Sequence, residues 1–257
     1  MKNGEIFDKI PEINYSENLS QMNLEEFRKV IFTRRSVRVF DQTPIPPEVV
    51  NDCLDLALLA PNSSNLQPWE FYWVRTPEKK KQLVEACLSQ PAARTAAELI
   101  VCVARTKTWK KYRKQMLEHF KNASFKAPDS AIRYYQKLVP LAYTQGPLNL
   151  FGFFKKILFF FLGLKKPIPR EPTSHADMRV WAVKSCSLAC ENLMLAFTAH
   201  GFDSCPMEGL DSRRVKKLLN LPRDAEVVMA ISAGKRAPQG VYGPRMRFDR
   251  KDFIKEV

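Results

Sequence analysis

The chain has 257 residues, 45% hydrophobic and 26% charged, which is typical of a globular domain that buries a substantial core. Its formal net charge of +14 predicts attraction to anions, such as nucleic acid, acidic membrane surfaces or phosphorylated cofactors. Only nine glycines occur, and no stretch matches the glycine-rich pattern of a Rossmann fold or a P-loop. Any nucleotide must therefore be held by something other than a glycine cradle.

In the first half of the chain, helical spacing of apolar residues predicts a short helix over 24–33. Proline at the first turn predicts a helix from Pro47, closed by Pro61, and another from Pro77 to about Leu88. Aromatic and β-branched residues predict a strand over 69–74, and a continuously apolar run predicts a strand over 98–104 buried on both faces.

In the second half, residues 177–200 predict a long helix that ends at Gly201. Apolar side chains surround most of this helix, so it must be covered on more than one side, and a partner subunit is a natural cover. The stretch FDSCPMEGL that follows is interpreted as a loop. A short helix capped by Asp211 or Ser212 and a buried strand over 226–234 come next.

The region 106–176 is predicted to be a helical or irregular insertion in a single domain spanning 1–257, since no repeat or composition break divides the chain. Residues 105–126 carry eight Lys or Arg against one Glu, and are interpreted as a solvated helical face with four aromatic or Met side chains turned inward. A basic nucleic-acid-binding surface is the alternative. Residues 147–167 are too interrupted by lysine to span a membrane. A lid or dimer-packing element is favoured there over a helix lying at a membrane interface.

The six cysteines are interpreted as buried free thiols, because most lie in apolar stretches and the N-terminus lacks the apolar segment of a secretory signal. A reducing, cytoplasmic location follows. No C-x-x-C pair occurs, and no metal site is predicted.

Four polar segments are candidates for ligand binding. TRRSVRVF, at 33–40, holds three arginines and a serine, and suits either a phosphate or a plain basic turn. APNSSNLQPWEF, at 60–71, offers amides and hydroxyls ahead of a strand. CPMEGL, at 205–210, can aim a backbone N–H at a ligand, and GPRMR, at 243–247, adds two more arginines.

Together, the first three of these segments resemble the FMN-dependent nitroreductase family in both order and spacing. The resemblance covers roughly 24–105 and 177–247. It implies an α+β fold with a central, mostly antiparallel sheet flanked by helices, in an intertwined homodimer. It also implies an NAD(P)H oxidoreductase that passes hydride through flavin N5 to nitroaromatics, quinones or similar acceptors in a ping-pong cycle, without a Ser, Cys or His nucleophile.

The resemblance assigns FMN-binding roles to segments of this chain. Residues 34–38 and 245–247 would surround the phosphate, 61–65 would reach the flavin of the other subunit, and 206–209 would lie over the ring with a backbone N–H near N5. Gln90 would bond the pyrimidine edge. The implied set is Arg34, Arg35, Ser36, Arg38, Pro61, Asn62, Ser63, Asn65, Gln90, Pro206, Met207, Glu208, Gly209, Arg245 and Arg247. Asn62 stands where serine is frequent in the family, and the insertion departs from the family pattern.

Overall fold

A computed structural model describes residues 10–11, 15–41 and 43–257. The α-helices are α1 (Leu24–Thr33), α2 (Pro47–Leu58), α3 (Pro77–Ala86), α4 (Pro91–Thr95), α5 (Trp109–Asn122), α6 (Asp129–Arg133), α7 (Val139–Tyr143), α8 (Leu150–Gly163), α9 (His175–Ala199), α10 (Ser212–Leu218) and α11 (Arg250–Phe253). The strands are β1 (Trp69–Trp73), β2 (Glu98–Arg105), β3 (Asp203–Met207) and β4 (Ala225–Gly234). Short 3₁₀ turns lie at Ser63–Asn65 and Pro147–Asn149, and a π-helical turn at Tyr134–Leu138.

The four strands form one antiparallel sheet in the order β1-β2-β4-β3. Helices cover both of its faces, so the predicted α+β fold with an antiparallel sheet is confirmed. β2 is buried on both sides because alternate residues enter different cores. Ile100 and Cys102 pack toward α9, whereas Leu99 and Val101 pack with Leu83 of α3.

Helix α9 is the longest element and lies across the sheet. Ser174 caps its first turn by accepting a hydrogen bond from the Asp177 backbone N–H, and Gly201 follows its end with a φ of 74°. That left-handed conformation favours glycine, as the predicted helix end required. Eleven of its residues are buried, while Val180 and Leu188 remain about half exposed. A partner subunit as the remaining cover stays a prediction.

One predicted loop is a strand. Residues 203–207 pair with β4 at the edge of the sheet, so the interpretation of FDSCPMEGL as a loop was wrong at its start. Pro206, which argues against a strand in sequence, is tolerated because an edge strand leaves one row of backbone groups outside the ladder. The short helix that follows is capped by Asp211, whose carboxylate accepts from the backbone N–H groups of Arg213 and Arg214.

The region 106–176 is mostly helical, and two of its helix ends are closed by basic side chains. Lys155 of α8 is buried, and its Nζ donates to the carbonyls of Leu141, Ala142 and Thr144 at the end of α7, at 3.2, 2.7 and 3.2 Å. Burial lowers the pKa of Lys155 to about 8. Arg170 donates to the carbonyls of Phe159 and Gly163 in the last turn of α8. These contacts fix α8 against the rest of the insertion.

No single helix in the described part of the chain is long and apolar enough to cross a membrane. By length and composition alone, one sharply bent pair meets that criterion, namely Asp129–Tyr143 with Pro147–Gly163 at an angle of 84°. That the whole chain forms one domain with an insertion over about 106–176 stays a prediction.

Candidate functional site

The arginine-rich segment lies beside the edge strand β3. The backbone N–H of Val37 donates to Ser204 at 3.1 Å, and that of Arg38 donates to Gly240 at 2.7 Å. Val37 and Phe40 are buried, which anchors the extended segment, while Ser36 and Arg38 remain exposed. The alternation expected of an extended chain therefore turns Ser36 and Arg38 outward from the sheet edge.

The C-terminal arginines return to the same place. Arg35 donates to the carbonyl of Gly243 at 2.6 Å, and Arg245 donates to the carbonyls of Phe32 and Arg34. Burial, followed by repulsion from Arg247, Arg35 and Arg34, lowers the pKa of Arg245. The guanidinium groups are thus close enough to repel one another.

This arginine cluster, made of Arg34, Arg35, Arg38, Arg245 and Arg247, lacks counter-charges. Within the described residues, no carboxylate lies within ion-pair distance of any of the five, and the side chains of Arg34 and Arg38 make no hydrogen bond. Five cations gathered without an anion suit a bound phosphate, because guanidinium groups present paired donors to its oxygens.

Gln90 and the segment after β3 come together next to this cluster. Gln90 Nε2 donates to the carbonyl of Gly209 at 2.8 Å and to that of Cys87 at 3.0 Å. Pro206 and Met207 end β3, and Glu208 and Gly209 are exposed beyond it. The backbone N–H of Glu208 donates to no other residue that the structure describes, so it can meet a ligand atom.

The loop at 61–65 is held by three tyrosines of the insertion. Tyr143 Oη shares hydrogen bonds of 3.0 Å with Ser63 Oγ and Ser64 Oγ, and Tyr134 Oη shares one of 2.6 Å with Ser64 Oγ. Tyr135 Oη donates to the Ser64 carbonyl at 2.8 Å. The loop needs this support because Ser64, Asn65 and Gln67 all have positive φ, which is rare for residues other than glycine.

Removing one of these hydroxyls is expected to loosen the loop without unfolding the chain. In a Tyr143→Phe variant the loop loses a buried hydrogen-bond partner, which costs about 1 kcal/mol and speeds local amide exchange about 5-fold. Hydrogen–deuterium exchange over 62–67 measures the effect. Tyr72→Phe is the matched control, because that hydroxyl bonds Glu70 on β1 instead. Equal exchange in the two variants would contradict the support by Tyr143.

Within one chain, the loop at 61–65 lies far from the arginine cluster. The loop leads into β1 at one edge of the sheet, whereas the cluster borders β3 at the other. Trp69 aligns with Ala104 and Glu226, while Ser204 aligns with Ala233, about seven residues further along β4. Trp69 and Ser204 are therefore roughly 14 Å apart across the strands and roughly 23 Å apart along them, which sets the loop and the cluster at opposite corners of the sheet.

A cavity of about 1000 Å³ opens beside this loop. Pro61, Asn62 and Ser63 line one side, and the aromatic rings of Tyr143 and Trp181 line another. Phe159 and Leu162 of α8 contribute apolar surface, so that α8 forms part of the wall. The lining is mostly apolar, with hydroxyl and amide groups at the loop and charged side chains further away, namely Lys166, Glu171, Asp177 and Lys184, which suits a flat apolar ligand with a few polar substituents.

Comparison with known proteins identifies the family. The model of the nitroreductase family matches residues 31–235. The chain belongs to the nitroreductase family. The matched residues include the arginine segment, the loop at 61–65 and the segment after β3, so the resemblance inferred from sequence motifs is confirmed at the level of the family, and with it the prediction of an oxidoreductase.

Several known proteins resemble this nitroreductase-family chain along most of its length. Protein DrgA of Synechocystis is 29% identical over 207 residues, covering 80% of this chain and 82% of that protein. A protein of Thermus thermophilus named NADH dehydrogenase is 26% identical over 217 residues, covering 84% and 90%. A structure from Exiguobacterium sibiricum, solved in complex with FMN, has a TM-score of 0.67 at 21% identity, covering 94% of this chain and 100% of its own. At that identity, the structural likeness establishes the fold.

Most of the basic segment 105–126 of this nitroreductase-family chain lies in α5. Trp109 is buried, and Tyr112, Met116 and Phe120 are half-buried against the main core, as the interpretation of a solvated helical face predicted. These side chains therefore face the core more than the solvent, whereas lysines such as Lys110 and Lys114 are exposed, and the expectation that nucleic acid is not a partner stays a prediction.

Sequence reasoning missed the contacts of Tyr134, Tyr135 and Tyr143 with this candidate site. These residues follow the loop at 61–65 by about 70 to 80 positions. Three tyrosines within ten residues were the available signal, but nothing in the sequence pairs them with a distant loop.

Proposed function

We propose that this chain is an FMN-dependent NAD(P)H oxidoreductase acting on nitroaromatics, quinones or related acceptors, with one FMN bound at each of two sites in a homodimer. The observation that carries the proposal is an arginine cluster that no carboxylate of the described residues neutralises, in a family member whose structural neighbour was solved with FMN. The name NADH dehydrogenase of the Thermus relative supports a nicotinamide as the electron donor.

The arginine cluster fits the phosphate of FMN. The guanidinium groups of Arg34 and Arg38 bond none of the side chains or carbonyls in the described ranges, so they can donate to phosphate oxygens, and the exposed Ser36 hydroxyl adds another donor. Arg35 and Arg245 are tied to backbone carbonyls and hold the two segments in place. Arg247 adds positive charge from the exposed tail.

The segment after β3 fits the ring. Pro206 and Met207 fix the start of the turn, and Gln90 holds its far side through the Gly209 carbonyl, which leaves the Glu208 N–H free to donate toward flavin N5. When bound, FMN would supply the hydride chemistry between the nicotinamide and the acceptor through its N5 atom. The chain itself positions the ring, donates at N5 and surrounds the negative charge with arginines.

The site is proposed to be completed by a second copy of the chain. The loop at 61–65 is too distant from the arginine cluster to contact the same flavin within one chain. The apolar face of α1 also lacks a cover, since Leu24, Phe27 and Phe32 are 57, 55 and 73% exposed. A homodimer interface over this face would bury these side chains and bring the loop of each copy to the flavin of the other.

The cavity beside the loop is the proposed acceptor site. In the dimer it would lie next to the partner's flavin, with Tyr143 and Trp181 offering ring surfaces to a flat aromatic acceptor. The buried free cysteines support a reducing compartment, and the cytoplasm is the proposed location.

Steady-state kinetics test the proposed function. One site that serves donor and acceptor in turn predicts parallel double-reciprocal lines when NADH or NADPH is varied at several fixed concentrations of menadione or 4-nitrobenzoate. Intersecting lines would show that both substrates bind together and would contradict the shared site. The absence of turnover with every pair, in protein saturated with FMN, would contradict the oxidoreductase function.

A further inference from the structure

Helix α8 has the reverse of the pattern expected for a helix at a water-exposed surface. The stripe that faces the chain holds Gly152, the charged Lys155, Phe159 and Leu162. Gly152 packs so tightly that a Cβ there would lie 2.1 Å from the Thr173 carbonyl. The exposed side is almost wholly apolar and consists of Leu150, Phe151, Phe153, Phe154, Ile157, Leu158, Phe160 and Phe161.

This exposed apolar face covers about half the circumference of a helix roughly 21 Å long. Phe154 and Phe161, near its middle, are 61 and 60% exposed. An apolar surface of this continuity on a folded chain marks an interaction site, because isolated exposed hydrophobic residues are normal but contiguous patches are not.

The charge around the face identifies the partner. From 130 to 170 the sequence holds no Asp or Glu and seven Lys or Arg. Lys156, at one side of the apolar face, and Lys165, just beyond its end, are exposed. Glu171 and Asp177 lie on the Lys156 side of the face, but the basic side chains around it outnumber them. A second copy of the chain is disfavoured here, since a two-fold interface would set two net-positive rims against each other.

We propose that α8 is a membrane-docking helix that lies in the plane of an anionic bilayer surface. Half-immersion buries the aromatic side chains among the headgroups and upper acyl chains, while Lys156 and Lys165 contact lipid phosphates. Lys155 and Arg170 hold the helix against the chain from the inner side. Because Phe159 and Leu162 line the cavity beneath, docking would also place the proposed acceptor site next to the lipid phase.

Flotation with vesicles of phosphatidylcholine, with or without phosphatidylglycerol, tests the proposal. The full-length protein is expected to float with anionic vesicles and to bind neutral ones at least 10-fold more weakly. Phe154→Ser/Phe161→Ser is expected to reduce binding to anionic vesicles at least 10-fold, and Lys156→Glu/Lys165→Glu to reduce it similarly. Both lysines are exposed and make no ion pair in the described structure, so their reversal leaves the fold intact.

Lys79→Glu/Lys81→Glu is the matched control, because it makes the same charge change on the exposed face of α3. Retained binding in this control supports docking through α8, whereas equal loss would show attraction by net charge alone and overturn the proposal. No flotation of the wild type would overturn it as well. A smaller oligomer of Phe154→Ser/Phe161→Ser in light scattering would also overturn the proposal, because it would show that the apolar face of α8 binds a second copy of the chain. These readouts are independent of flavin content and turnover, so the oxidoreductase function is tested separately.

Discussion

Arg34→Ala/Arg38→Ala is expected to lose FMN while keeping its fold. Each guanidinium offers charge-assisted hydrogen bonds to the phosphate, worth about 1.5–3 kcal/mol each, so the pair should weaken FMN binding at least about 100-fold. Neither side chain bonds another described residue, which is why the apoprotein should unfold at the same urea concentration as the wild-type apoprotein. The loss is measured by titrating the apoprotein with FMN while the quenching of flavin fluorescence is monitored.

The control for this variant removes two arginines elsewhere. Arg213→Ala/Arg223→Ala takes away the same charge from exposed positions that have no ion pair among the described residues. Its FMN affinity should stay near that of the wild type. If the two double variants lose equal affinity, the net positive charge of the chain attracts FMN, and Arg34 and Arg38 make no specific contact with its phosphate. Unchanged FMN affinity in Arg34→Ala/Arg38→Ala would show that these two arginines do not bind the phosphate.

A mixed dimer is expected to recover a site that each parent homodimer lacks. One parent carries Arg34→Ala/Arg38→Ala, and the other carries Ser63→Trp, which places an indole on the exposed side of the loop. Tyr143 keeps Ser64 Oγ as a partner in the second variant, so the loop retains its support. If each site combines the arginines of one copy with the loop of the other, the mixed dimer has one site with both lesions and one with neither.

Co-expression of the two chains with different affinity tags, followed by sequential purification, isolates the mixed dimer. We expect close to one FMN per mixed dimer and about half of the wild-type turnover, against almost none in either parent. A site built within one chain would carry one lesion in each half of the mixed dimer, which would then bind no FMN. A Ser63→Trp homodimer with full FMN content would exclude the loop from the flavin site.

The sequence predicted those elements whose signals are local. The end of α9 followed from Gly201, which adopts the left-handed conformation there, and the burial of β2 followed from its uninterrupted apolar run. β3 was missed because Pro206 and two polar residues break the strand pattern, and only pairing with β4 makes the segment a strand. Tertiary contact outweighed local preference there.

The candidate site was predictable in its parts but not in its arrangement. The motif at 34–38 indicated an anion site, yet its own residues left a basic turn equally open. The structure gathers Arg245 and Arg247 beside that motif and separates all of them from the loop at 61–65. The reversed pattern of α8 was hidden as well, because periodicity cannot say which stripe of an almost uniformly apolar helix turns inward.

The visible spectrum of the purified protein, recorded anaerobically during titration with NADH and then with NADPH, tests the central claim most directly. Protein incubated with FMN and freed of excess should be yellow, with one FMN per chain, and its long-wavelength absorbance should bleach on addition of one equivalent of at least one nicotinamide. Protein that stays colourless after this treatment would contradict FMN binding. Yellow protein that neither nicotinamide bleaches would contradict the oxidoreductase function.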